Sequence, residues 1–278
     1  MDTNYGPFGV ETEPGLAIVT IDNPPTNLVD GVFVMGLLSL LDALDERPGI
    51  RVVVFQSADP DFFLMHGDVN SLLQIPTSNH QPVDAPNIAA LAFDRMSTSA
   101  YLSIGLIDGA ARGGGSEFLS ALDIRYGTPR TVIGQPEVPM GILPGAGGSS
   151  RLPRLIGRDH ALEMILTGHD YDADEALALG WLTAVIEQDL IDEYVLGVAR
   201  RVALMPAESI AATKRVVDAS VGSLTHALVT ETNELGSLTA SGAHHAPMRR
   251  FMDAGGQTRE GETTRMAEIV EAMLDRDR

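Results

Sequence analysis

Residues 109–150 read GAARGGGSEFLSALDIRYGTPRTVIGQPEVPMGILPGAGGSS, and the rest of the chain is arranged around them. Three consecutive glycines, Gly113 to Gly115, precede a short apolar run with helical character, Phe118 to Leu122, and a second cluster, Gly145, Gly147 and Gly148, follows downstream. Glu117 and Glu137 lie in and between these clusters. Glycine has no Cβ, so another molecule can approach its backbone closely and positive φ is open to it. A glycine run that opens a helix exposes unpaired N–H groups with the positive end of the helix dipole behind them. Such a nest suits an anion or a developing oxyanion.

Moving toward the N-terminus, Tyr101 to Ile107 reads as a buried strand that delivers the chain into the first glycine cluster. Arg51 to Phe55 has the β-branched character of a strand buried on both faces. Leu16 to Ile21 is a third strand, closed by the turn signal Asn23-Pro24-Pro25. Between them Phe33, Leu37, Leu40, Leu41 and Leu44 recur at helical spacing, and Ile88 to Met96 also reads as a helix. Strand and helix in alternation predict a parallel sheet with right-handed crossovers, whose ligands sit at the carboxyl ends of the strands. Gly67 and the Gly113 cluster fall there. Ile75 to Pro86, with its prolines and polar residues, reads as a mobile surface loop.

Toward the C-terminus the composition turns helical from Arg158. Helices are expected over His160–Thr167, Asp174–Leu179, Asp189–Met205 and from Pro206 through Val217, with one short strand within Trp181–Ile186. Met266, Ile269, Val270, Met273 and Leu274 form a final amphipathic stripe.

Composition excludes several classes. A formal net charge of −19 over 278 residues argues against nucleic acid and anionic membranes, which need a basic surface. The absence of cysteine removes disulfides and thiolate chemistry. Met1 to Pro14 is not a secretory signal, and Val32 to Leu41 is too short to span a bilayer, so a cytoplasmic protein is expected. His244-His245 has no partner cluster, so no metal site is expected and the pair reads as neutral surface histidines. Neither glycine cluster keeps the G-x-G-x-x-G dinucleotide spacing after a strand, and Ser149-Ser150 reads as helix capping after Gly148. Arg112, Lys214, Arg249 and Arg250 are either solvated charges or counterions for a phosphate-bearing ligand.

GGGSE at 113–117, GQPE at 134–137, GILPGAGGSSRLPRLIG at 141–157, ALEMILTG at 161–168 and DADEALALGWL at 172–182 together resemble the enoyl-CoA hydratase/isomerase (crotonase) superfamily. The likeness runs roughly from Gly15 to Ala219 in the same motif order. It implies an α/β, crotonase-like fold: a repeated ββα spiral core over residues 1–200 with an acyl-CoA site, then a helical trimerisation region over 201–278. It implies homotrimers that pair into hexamers, and a coenzyme A thioester as substrate with no separate cofactor. By position, the two N–H groups that bind the thioester oxygen match Gly67 and Gly114, and the catalytic carboxylates match Glu117 and Glu137. Leu64, His66, Asp68 and Pro136 are expected beside the substrate.

The residues taken alone leave alternatives open. Glu117 in the first turn of a helix is favourable on dipole grounds alone, and a glutamate after Gln135-Pro136 in a loop is ordinarily solvated. Gly67 and Gly114 would serve equally as turn glycines. The chain departs from the family at Leu64-Met65-His66, where small residues and a glycine are usual. His66 would narrow the substrate channel, supply a proton, or pack against Phe62 or Phe63.

The implied chemistry is coherent. Adding water to a 2-enoyl thioester passes through an enolate whose charge gathers on the thioester oxygen, where two N–H donors are of most use. Two carboxylates sharing one water would divide the proton transfers that give a 3-hydroxyacyl-CoA. Moving a double bond would need Glu137 alone, and a chain that only binds acyl-CoA would need neither.

Overall fold

The computed structural model describes residues 3–78 and 80–274, with backbone alone at Leu274. Met1, Asp2, Asn79 of the Ile75–Pro86 loop, the Leu274 side chain of the terminal stripe and residues 275–278 lie outside it.

Strands β1 (Asn4–Tyr5) and β2 (Phe8–Glu13) lead into β3 (Leu16–Ile21). Helix α1 (Gly31–Asp45) follows, its start capped by Asp30, whose carboxylate accepts the Phe33 amide. The predicted stripe Phe33, Leu37, Leu40, Leu41 and Leu44 is buried along it. One pattern then recurs. The first unit is β4 (Val52–Ser57), β5 (Phe62–Leu64), α2 (Val69–Leu73) and α3 (Ile88–Ser97). The second is β6 (Leu102–Ile107), β7 (Ala110–Arg112) and α4 (Gly114–Ser120), and the third is β8 (Ile124–Gly127), β9 (Val132–Gly134) and α5 (Gly148–Leu155). The chain continues through α6 (Arg158–Thr167), β10 (Asp170–Tyr171), α7 (Ala173–Ala178) and β11 (Ala184–Val185). It ends in α8 (Ile191–Ala203), α9 (Ala207–Val221), α10 (Thr225–Ser241), α11 (His245–Asp253), α12 (Arg259–Thr264) and α13 (Met266–Leu274).

Each unit sends its first strand to one sheet and its second to another before a helix returns, which is a ββα spiral. The larger sheet has seven strands in the order β1-β2-β3-β4-β6-β8-β11, antiparallel at β1, β2 and β3 and parallel beyond. The smaller has four, β10-β9-β7-β5, parallel except where β10 joins. Plain strand–helix alternation therefore reads too simply. It passes over β5, β7 and β9, which have three residues each and carry no period of their own.

Both faces of β4 are covered, as its β-branched sequence requires. Val53 and Phe55 enter the main core, while Val52 and Val54 meet α8, whose Ile191, Val195, Ala199 and Ala203 recur every fourth residue. The hub of the main core is Phe118 on α4, with its ring centroid 5.3 Å from Phe55, 5.5 Å from Phe93, 5.7 Å from Phe33 and 6.4 Å from Phe63. The first three are edge-on, and such pairs contribute roughly 0.5–1.5 kcal/mol each beyond area burial. The anchored Phe118 fixes the rotation of α4, and with it the direction taken by the neighbouring Glu117.

Helices α10 to α13 return over the core rather than standing apart from it. Met248, Phe251, Met266, Ile269, Val270 and Met273 share a buried cluster with Val69, Met140 and Ile142. The final stripe thus packs on its own chain. Helix α10 also holds the Ile75–Pro86 loop: Asn233 Oδ1 accepts the Val83 amide at 2.7 Å, and its Nδ2 donates to the Val83 carbonyl at 2.8 Å. Among the described residues no helix is long and apolar enough to cross a membrane.

Candidate active site

A cavity of about 410 Å³ opens where the glycine cluster, α1, α2 and the C-terminal helices meet, within the usual size of a ligand site. Gly67 and Gly114 both line it. A Cβ built on Gly114 would lie 3.5 Å from the Gly67 nitrogen, so the two backbones are neighbours although 47 residues apart, from 114 − 67. Their orientation follows from the peptides that carry them. The His66 carbonyl accepts the Val29 amide at 3.1 Å, which turns the Gly67 N–H, on the opposite side of the same trans peptide, away from that bond. The Gly113 carbonyl accepts the Glu117 amide at 2.9 Å, and the Gly114 N–H is directed out of the helix start in the same way. Among the described residues neither amide finds an acceptor. Gly113 itself has φ of 52°, and a Cβ there would fall 2.7 Å from Glu137 Oε1 and 2.8 Å from His66 Cβ. Only glycine fits.

Glu117 and Glu137 line the same cavity and are 4% and 6% exposed. Glu117 Oε1 accepts the Ala146 and Gly148 amides at 2.7 and 2.8 Å. Burial raises its pKa, and those two N–H groups with the Arg151 charge partly offset the rise. Glu137 sits in the turn after β9, and its Oε2 is buried without a hydrogen-bond partner among the described residues. Burial first, then the negative charges of Glu117 and Glu231, push its carboxyl well above the usual range. Two acids in one apolar cavity thus hold their protons unequally, which is the condition for dividing acid and base roles.

A third carboxylate, Glu231 of α10, escapes sequence reasoning. It is 4% exposed, and its Oε1 accepts the Gly147 amide at 2.5 Å. Successive amides of the glycine turn therefore point alternately to Glu117, Glu231 and Glu117. Burial, then repulsion from Glu117, carries the Glu231 pKa to about 8. An unfolded glutamate ionises near its ordinary value, so between that value and about 8 the folded chain keeps a proton the unfolded chain has lost, and stability falls as pH rises. Glu231→Gln removes this loss. The melting-temperature difference, variant minus wild type, is expected to grow from about pH 5 to about pH 8, and a constant difference would exclude Glu231 as the source.

His66 is 2% exposed and also lines the cavity. Its Nδ1 lies 3.0 Å from the Gly67 carbonyl and its Nε2 3.0 Å from Glu262 Oε1 on α12. The ring meets Phe251 edge-on at 5.3 Å, not Phe62 or Phe63 as the local sequence suggests, because α11 closes over it. Asp68 lines the cavity too and caps α2, accepting the Asn70 and Ser71 amides at 3.1 and 3.2 Å. Leu64 and Pro136, expected beside the substrate, do not line the cavity: both are buried, Leu64 within the core cluster and Pro136 against Gly168.

Other expectations need correcting. His244 is fully buried, not a surface histidine, because α11 packs it over Gly141. The α5 cap position is Gly147, with φ of 113°, and Ser149 Oγ instead donates to the Pro144 carbonyl. Arg112 is locked to Asp170 at 2.6 and 2.7 Å, Lys214 to Asp123 at 2.7 Å, and Arg250 to the Met273 carbonyl at 2.8 Å. Of the four basic candidates, three are thus committed within the chain.

The ββα spiral thus brings two glycines and two buried acids, distant in the chain, to one cavity. The chain belongs to the enoyl-CoA hydratase/isomerase family, which it matches over residues 11–255. It is 32% identical to a candidate enoyl-CoA hydratase from Streptomyces avermitilis, with 97% of this chain and 99% of that one covered and a TM-score of 0.86. It is 26% identical to Pseudomonas aeruginosa DspI, covering 83% and 94% of the two chains at a TM-score of 0.71. An enoyl-CoA hydratase from Bacillus halodurans shares the fold at 24% identity and a TM-score of 0.79, over 87% of this chain and 99% of that one.

Proposed function

We propose that the protein adds water to a 2-enoyl-CoA thioester to give the 3-hydroxyacyl-CoA. The observation that carries this reading is the pair of unclaimed amides, Gly67 and Gly114, beside two buried glutamates in one mostly apolar cavity. The thioester oxygen accepts both N–H groups, and their stabilisation grows as the enolate forms. A water held between Glu117 and Glu137 attacks the β-carbon and gives a proton to Glu117. Glu137, kept protonated by its surroundings, gives its proton to the α-carbon. Proton exchange between the two acids through the next water restores the start. Met140, Ile142, Leu143 and Leu235 wall the cavity and would receive the acyl chain.

A second reading, migration of a double bond, draws support from one asymmetry. Glu117 Oε1 is already engaged by two amides, whereas Glu137 has an unclaimed oxygen and would shuttle the proton alone. Incubation with 2-enoyl and 3-enoyl thioesters of several chain lengths, read by mass spectrometry, separates them. Gain of one water supports hydration, a shifted double bond supports isomerisation, and binding without turnover of any acyl chain would sink both in favour of a carrier.

The trimer expected from the family would seat on this chain's apolar exterior. Helix α9 buries none of its residues, with Val216, Val217 and Val221 at 71%, 57% and 59% exposure, and Leu204 at the end of α8 is 87% exposed. Such a face is costly to leave in water and favours self-association. Light scattering on the eluted protein is expected to give three or six times the chain mass of 29.6 kDa, and a monomer at micromolar concentration would dismiss the assembly.

A further inference from the structure

We propose that Glu262, brought in by α12, is a positioning residue of the oxyanion pocket: it holds His66 as a doubly protonated ring, and that ring fixes the Gly67 peptide. The inference rests on the reading of Gly67 as an oxyanion donor. A neutral imidazole has one N–H donor and one acceptor nitrogen. Here both nitrogens face acceptors, the Gly67 carbonyl and Glu262 Oε1, each at 3.0 Å. Glu262 Oε1 also accepts the Gln257 amide at 2.8 Å, and although burial opposes it, that amide with His66 and Arg112 holds the carboxyl below its ordinary pKa, which favours the ionised acceptor. His66 is 2% exposed, and these two protein oxygens take up both of its ring nitrogens. The arrangement is satisfied only when both ring nitrogens bear hydrogen.

The consequence falls on Gly67. A glycine has the widest backbone freedom of any residue, a poor property for an amide that must hold one direction. The peptide before Gly67 is fixed by the bond from the Val29 amide to the His66 carbonyl, and the peptide after it by His66 Nδ1 on the Gly67 carbonyl. Glu262 lies 196 residues from His66 and is itself fully buried, so the C-terminal segment supplies the outer support of the pocket.

Every charged group packed around the ring bears on this state. Glu262 faces Nε2. Arg112 of β7 lies 3.9 Å from Glu262 Oε2 and opposes the ring's charge, but its guanidinium is paired with Asp170 of β10. Glu137 approaches from the turn after β9, beside the His66 Cβ, and Asp68 follows in the chain, receiving Gln257 Nε2 at 3.2 Å. Burial by itself would lower the His66 pKa; Glu262 more than offsets it, and the net shift is upward.

The test begins on the unaltered enzyme without substrate. Long-range proton–nitrogen NMR of the imidazole rings is expected to show both His66 nitrogens protonated at neutral pH. A neutral ring there would overturn the proposal. In Glu262→Gln the carboxylate charge is gone, and His66 is expected to fall to the neutral Nδ1–H tautomer. The Nδ1–H bond to the Gly67 carbonyl then persists without the ring's charge, and turnover is expected to drop about tenfold, the difference between a charged and a neutral hydrogen bond, with KM nearly unchanged and the alkaline limb of the pH profile moved to lower pH. Glu262→Asp is expected to restore the charged ring and most of the turnover. A Glu262→Gln enzyme that folds with wild-type melting temperature and keeps both ring state and kcat refutes the role. Because the ring measurement uses no acyl-CoA, it stands even if no thioester is turned over, an outcome that would strike the hydratase reading alone.

Discussion

Glu137→Gln is expected to lower the turnover of a short 2-enoyl-CoA by about 10²–10⁴-fold, the usual worth of a positioned general acid. The amide matches the carboxyl in shape, and the Oε2 site makes no hydrogen bond among the described residues, so the fold should hold. What is lost is a proton kept in an environment that raises its pKa well above the ordinary value. Glu117→Gln should cost a comparable factor for a different reason. Its amide oxygen would still receive the Ala146 and Gly148 N–H groups, which preserves the turn, while the remaining NH₂ cannot take a proton from water. Steady-state kinetics with circular dichroism on the same samples reads both. Folded variants with wild-type turnover would remove the two glutamates from the chemistry. A loss confined to Glu137 would instead favour double-bond migration.

Gly115→Ala is expected to be the most destructive single methyl in the chain. A Cβ at this position would stand 1.8 Å from the Leu64 carbonyl oxygen and 2.4 Å from its carbon, far inside contact distance, and the obstacle is backbone of β5. Neither partner can swing aside without breaking the link between the two strand-to-loop turns that carry the proposed oxyanion amides. A destabilisation above about 4 kcal/mol, among the largest single-residue effects, is expected in urea unfolding. Gly197→Ala on α8 is the matched control: nothing lies within 4 Å of the added methyl, and a helical interior gains about 0.5–1 kcal/mol from the exchange. Near-equal midpoints for the two variants would show that close approach of β5 is not what fixes glycine at 115.

How far the sequence could be read depended on whether partners lie close along the chain. The Gly113–Gly115 run, Glu117 and Glu137 sit within one stretch, and their chemistry needs residue types that few other demands explain together. The long strands and α1 announce themselves by period. Helix α10 does not, because its inward face carries Glu231, Asn233 and Thr239 among few apolar residues, so a hydrophobic pattern cannot mark it. Glu231 was hidden for that reason. Without the family resemblance Glu137 would read as a solvated loop residue, because what covers it comes from elsewhere in the fold. The His66–Glu262 pair spans 196 residues, and no local feature of either neighbourhood points to the other.

The return of the last helices has a bearing on synthesis. The pocket that α4 begins is not finished until Leu235 lies over Gly145 and Glu262 reaches His66, and both residues follow every described strand in the chain. During synthesis the described strands, all before Ile186, emerge ahead of that wall and brace. A chain cut between β11 and α10 is thus expected to keep the strands of both sheets while losing a wall and a brace of the proposed substrate pocket.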